Sequence, residues 1–125
     1  MQIPPRSELP NEVQGIVHKT QINQTKIYIK TLEYNDGRLG GVHISLDKEG
    51  SKLRIYTQLF DFMNIGLQHG IPFSEYTKHA KYQNMEPCGI TTNPKIPFAK
   101  SIVDYVARWL ESRYNIDNGK RISNN

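Results

Sequence analysis

The ten residues TKIYIKTLEY, Thr25 to Tyr34, decide the fold. Ile27 and Ile29 stand on one side of an extended chain and Tyr28, Lys30, Leu32 and Tyr34 on the other, the period-two alternation of a strand with one buried face. Upstream, Ile16, His18, Thr20 and Ile22 share one side of a second strand across Val13 to Ile22. Downstream, Asn35-Asp36-Gly37-Arg38 supplies residues that tolerate positive φ, as a tight hairpin turn requires, before Val42, Ile44 and Leu46 alternate with His43 and Ser45. These segments predict a three-stranded antiparallel meander. Gly40-Gly41 at the head of the third strand marks a β-bulge, with close approach of another backbone or a ligand as the alternative.

After Lys48-Glu49-Gly50-Ser51 the period changes. Tyr56, Leu59, Phe60, Met63 and Leu67 fall on a helical stripe, Gly70 stops that helix and Pro72 forbids its return. Ser74 caps a short second helix reaching about Tyr82, with Phe73, Tyr76 and Ala80 as its apolar contacts. Gln83 to Pro97 carries three prolines and a Thr-Thr-Asn run, too irregular for helix or strand and the natural place for a site. The last helix is expected to start near Pro97, with Phe98, Ile102, Tyr105, Val106, Trp109 and Leu110 on its buried side. Residues 1–10, with Pro4, Pro5 and Pro10, read as a flexible arm, residues 11–114 as a single domain, and residues 115–125 as a disordered polar tail. The whole is an α+β fold: the meander, then two or three helices packed on one face of the sheet.

A chain of 125 residues has room for one compact core. Sixteen Lys and Arg against twelve Asp and Glu leave a charge of +4, which favours phosphates or other acidic partners without requiring them. A single cysteine excludes a disulfide framework and any multi-thiolate metal site within one chain, and points to a reducing cytoplasm. The first residues lack the apolar core of a signal peptide, and no window approaches the roughly 18 apolar residues of a membrane span. The expectation is a soluble, unprocessed protein.

No motif supplies a catalyst, cofactor or metal. Cys88 has no base at a motif spacing, and His18, His43, His69 and His79 are scattered. Glu33, Asp36, Asp47, Glu49, Glu86 and Asp104 include no pair that spacing singles out for acid–base work, and Asp104 has the plainer role of pairing with Lys100 and Arg108 one turn away. Glycine-rich phosphate loops are absent. Binding is better supported: Lys95, Lys100, Arg108 and Arg113 can contact phosphate, Thr91, Thr92 and Asn93 can hydrogen-bond a ribose or base, and Tyr82 or Phe98 can stack. For Arg113 the alternative is a side chain that snorkels past the core at the helix end. A duplex-binding surface is not expected, because no helix carries a continuous basic stripe.

The runs Leu9-Pro10, His18-Lys19, Tyr34-Asn35-Asp36-Gly37, Lys48-Glu49-Gly50-Ser51, Leu67-Gln68-His69-Gly70-Ile71-Pro72, Glu86-Pro87-Cys88-Gly89, Asn93-Pro94-Lys95-Ile96-Pro97 and Ala99-Lys100-Ser101-Ile102-Val103-Asp104-Tyr105 resemble, in order and spacing, the C-terminal TSCPD-type region of adenosylcobalamin-dependent ribonucleotide reductases. The resemblance covers Leu9 to Leu110. It does not bring the reaction, since that family's radical barrel and catalytic cysteines lie elsewhere and one cysteine cannot serve as thiyl radical and redox pair together. Reductase relatives usually have serine where this chain has Cys88. The order Tyr82, Asn93, Arg108, Arg113 is also similar to that of phage anti-Thoeris sponges, which sequester cyclic ADP-ribose derivatives and cyclic oligonucleotides. Two expectations follow. The first is a non-enzymatic nucleotide-binding sponge, a homodimer or higher oligomer in the host-cell cytoplasm. The alternative is a separately encoded accessory or regulatory segment that docks on a ribonucleotide reductase large subunit.

Overall fold

The computed structural model describes residues 2–46 and 51–123, with the side chains of residues 51–53 left aside. Three strands, β1 (Val17–Ile22), β2 (Thr25–Glu33) and β3 (Leu39–Leu46), form an antiparallel sheet in the order β1-β2-β3. Helices α1 (Ser51–Gln68) and α2 (Phe73–Ala80) follow, then a two-residue ladder of β4 (Gly89–Ile90) with β5 (Phe98–Ala99), then α3 (Ile102–Arg113). The α+β architecture is the one the alternation predicts.

Alternation places Ile22, Ile27, Ile29, Val42 and Ile44 on one sheet face. Against them pack Tyr56, Phe60, Met63 and Leu67 of α1, Phe73 of α2, and Ile102, Tyr105, Val106, Trp109 and Leu110 of α3. The register steps between Leu32 opposite Gly41 and Glu33 opposite Leu39, so Gly40 is the extra residue of a bulge. A Cβ on Gly40 would stand 2.6 Å from Leu9 and 2.8 Å from Tyr34, so the same position is also one of close approach. The outer edge of β3 is covered at Val42, whose N–H and C=O both bond the Asn64 amide of α1 at 2.8 and 3.0 Å. A side chain thus stands in for the missing strand.

Several boundaries differ from expectation. β1 begins at Val17 rather than Val13, although Gln14 still bridges Glu33. Ser74 does not cap α2; the helix starts one residue earlier, behind Pro72, and ends before Tyr82, which sits at φ +66°. Pro97 does not open α3, because Phe98 and Ala99 pair with Gly89 and Ile90. The cap is Ser101, whose Oγ accepts the Asp104 N–H at 3.0 Å. Phe98 is therefore exposed rather than on the buried stripe, and so is Leu59 of α1.

Both ends are tied down where an arm and a tail were expected to hang free. The Ser7 N–H donates to the Gln68 carbonyl at 2.8 Å, Arg6 Nε to Gln68 Oε1 at 2.7 Å, and the Tyr34 hydroxyl to the Ser7 carbonyl. Residues 115–122 turn back along the sheet: Leu39 N–H bonds Gly119, and Arg121 Nε reaches buried Glu33 at 2.7 Å. Lys48 to Gly50, after which the period was expected to change, the carboxylates Asp47 and Glu49, and the last two tail positions lie outside the described residues.

Candidate functional site

The residues nominated from the sequence fall into two clusters, and each is bound up with the fold. Asp104 is the centre of the first. It has no solvent exposure, and in α3 it sits one helical turn before Arg108. Its carboxylate accepts from Arg108 Nε at 3.0 Å and from an Arg108 terminal nitrogen at 2.8 Å, from the Lys100 backbone N–H at 2.8 Å, and from the Tyr82 N–H at 2.6 Å. Arg108 also donates to the Phe98 carbonyl. One carboxylate thus fastens the two ends of the 82–100 loop to α3. Arg108 spends its fork on this knot, which leaves it little to offer a phosphate. The Tyr82 ring remains outside, 59% exposed, with the Arg108 guanidinium 5.6 Å and the Lys100 ammonium 6.0 Å from its centroid.

The second cluster is built on buried Tyr105. Its hydroxyl accepts from Asn93 Nδ2 at 3.0 Å and shares a hydrogen bond with His18 Nε2 at 2.7 Å, the direction of which follows the imidazole tautomer. His18 stacks on Trp109 with ring centroids 4.9 Å apart. Burial, then the charge of Arg113, lowers its pKa. Thr91 is buried, with its hydroxyl on the Ile96 carbonyl; Thr92 exchanges hydrogen bonds with the Gln21 backbone; Lys95 extends from the turn that Asn93 Oδ1 closes. The structure therefore groups Tyr82, Lys100 and Arg108 in one place and Thr91, Thr92, Asn93 and Lys95 in another, with Arg113 beside His18 of the second.

A third feature was not foreseen. Thr77 donates to Glu111 at 2.6 Å and Lys81 pairs with Glu111 at 2.9 Å, which seats α2 on α3 and leaves a groove facing α1. Tyr76 closes one end, its hydroxyl lying where a Cβ on Gly66 of α1 would need to be. The groove holds about 420 Å³ and is lined by Leu59, Phe62, Ala80, Val103, Ala107 and others, with Glu75 and His79 on the α2 side. Phe62 is 67% exposed at its rim. The signal was present in the sequence: Ile55, Leu59 and Phe62 follow at i, i+4 and i+7, a second apolar stripe beside the one that meets the sheet. Among the described residues no three His, Cys, Asp or Glu side chains gather as a metal site would require, and Cys88 is an exposed loop thiol. No helix among them is long and apolar enough to cross a membrane.

A small α+β domain whose polar residues hold its loops in place, and whose open surface is an apolar helical groove, is the class that this geometry defines. The chain belongs to the TSCPD domain family, whose model matches residues 3–114. It is similar to the vitamin B12-dependent ribonucleotide reductase of Bradyrhizobium diazoefficiens, 38% identical over 111 residues, which are 87% of this chain and 9% of that protein. The reductase of the same description from Rhodopirellula baltica is 37% identical over 86% of this chain and 10% of its own length. That from Streptantibioticus cattleyicolor is 33% identical over 86% of this chain and 18% of its own. The chain thus spans a small part of these relatives, and no solved structure matches it.

Proposed function

We propose that this domain is a non-catalytic docking module of vitamin B12-dependent ribonucleotide reductase assemblies, seated on the catalytic portion through the groove between α1, α2 and α3. The open groove is the observation that carries the reading. An apolar channel of this size with Phe62 at its rim is costly to leave in water and marks a contact surface. The relatives supply the occupant, since in them the matching segment is 9–18% of a longer reductase. A non-catalytic role fits polar residues that are spent on fastening the 82–100 loop. Sedimentation velocity of the chain with a B12-dependent reductase chain from the same cell tests it: a complex is expected, and Phe62→Asp should abolish it. A Phe62→Asp chain that sediments with the reductase as well as the parent does would overturn the reading. The chain alone reports in the same run whether the groove pairs two copies, as the expected homo-oligomer would.

A second reading, nucleotide binding with sequestration as its outcome, is favoured by one observation: the exposed Tyr82 ring is a platform on which a base can stack, with the Lys100 ammonium 6.0 Å from its centroid to meet a phosphate. Native mass spectrometry of the protein from cells is the test. A stoichiometric nucleotide that Tyr82→Ala loses supports it; a protein that stays empty against cyclic and linear nucleotides removes it.

A further inference from the structure

The sheet has a second face, opposite the core. Register and alternation place Val17, Lys19 and Gln21 of β1, Lys26, Tyr28, Lys30 and Leu32 of β2, and His43 and Ser45 of β3 on it. Tyr28 lies directly across from Lys19 on one side and Ser45 on the other; Lys26 and Lys30 stand two residues either way along its own strand. Tyr28 is thus ringed by three ammonium groups. None of the three lysines forms an ion pair among the described residues, and no described aspartate or glutamate shares the face. Thr92, bonded to Gln21, adds a hydroxyl at the β1 edge, where a pocket of about 260 Å³ opens between Lys19, Lys26 and Tyr28.

A solvated sheet face normally mixes charges of both signs. This one carries a single sign around a central aromatic ring. We infer that the open sheet face binds single-stranded nucleic acid, with Tyr28 stacking on a base and Lys19, Lys26 and Lys30 neutralising successive phosphates. The chemistry favours this occupant over an acidic protein segment because the ring at the centre offers a π-face to a base, which an acidic peptide does not use. Four residue steps along β1 and two strand spacings make a footprint of about 13 by 10 Å, room for a few nucleotides and too flat for a duplex groove. Readout would be tolerant of sequence, because stacking and phosphate contacts distinguish bases weakly.

Fluorescence anisotropy with labelled oligo(dT) and oligo(U) of roughly ten nucleotides tests the inference. Three phosphate contacts predict that log K falls with log salt with a slope of about −2. Replacing all three lysines, Lys19→Gln, Lys26→Gln and Lys30→Gln, should bring the slope toward zero. Tyr28→Ala should weaken binding roughly five- to hundredfold, while Tyr28→Phe keeps the stack and the affinity. Phe62→Asp, on the other side of the molecule, should leave binding unchanged, which separates this result from the fate of the groove. Absence of binding at low salt, a slope that the lysine replacements do not alter, or displacement of the oligonucleotide by poly-glutamate with no dependence on Tyr28 would each overturn it.

Discussion

The corner at Asp104 and the groove beside Phe62 are opposites in one small domain. At the corner four hydrogen bonds converge on a carboxylate with no exposure, and Arg108 is consumed by it. In the groove apolar side chains have neighbours on only one side, and Phe62 stands in solvent. A residue that looks like a ligand by type, as Arg108 does, can be spent on structure, whereas a stripe that looks like core can be surface. What separates them is whether the valences are already satisfied.

That contrast predicts stability effects at the corner and binding effects at the groove. The largest is Asp104→Ala, which leaves Arg108 without its carboxylate and frees the Tyr82 and Lys100 amides; a loss of about 3–5 kcal/mol in urea unfolding is expected. A loss below about 1 kcal/mol would mean the corner is not the fastening described. Next is Tyr114→Phe. Its hydroxyl joins Thr31 and Glu33 inside the fold, beside the Arg121 contact, and its removal should cost about 1–3 kcal/mol by the same measurement. Phe62→Asp should change stability by no more than about 0.5 kcal/mol while removing the reductase complex. A large loss of stability there would erase the distinction between the two regions.

The smallest effect concerns pH. Burial lowers the His18 pKa below its ordinary 6.5, so between that lowered value and 6.5 the unfolded chain takes up a proton that the native imidazole refuses. The contribution is present in full above pH 6.5 and is lost as pH falls through this window. Urea midpoints followed from pH 7.5 down to about 5 should show the decline, and His18→Gln should flatten it.

The parts of the fold visible in sequence are those whose signals are local. Ile27 and Ile29 alternate with Tyr28 and Lys30 whatever lies elsewhere, and Gly70 marks a helix end by its own conformational freedom at φ +97°. The start of α3 was misplaced because two local signals compete. Pro97 suits a first turn, but Ser101 with Asp104 three residues on makes the stronger cap, and pairing of Phe98 with Ile90 settles the matter through a contact that local pattern does not encode. The tail was illegible for a related reason: Arg121 and Glu33 meet across 88 residues of sequence. At the site, Asp104 with Arg108 was legible as a helical pair, yet its meeting with the Tyr82 and Lys100 amides was not. That meeting makes the Arg108 side chain part of the fastening. The groove's stripe of Ile55, Leu59 and Phe62 was present in the sequence, but Leu59 also fits the core stripe by spacing, and the placement of α2 on α3 shows which side of α1 is left bare.

Photo-crosslinking tests the docking claim most directly. A benzophenone amino acid placed at position 62, with the chain mixed with a B12-dependent reductase chain and irradiated, should yield a covalent adduct to the reductase; the same group at position 28 on the sheet face should not. An adduct from position 28 and none from position 62, or none from either, would contradict the account.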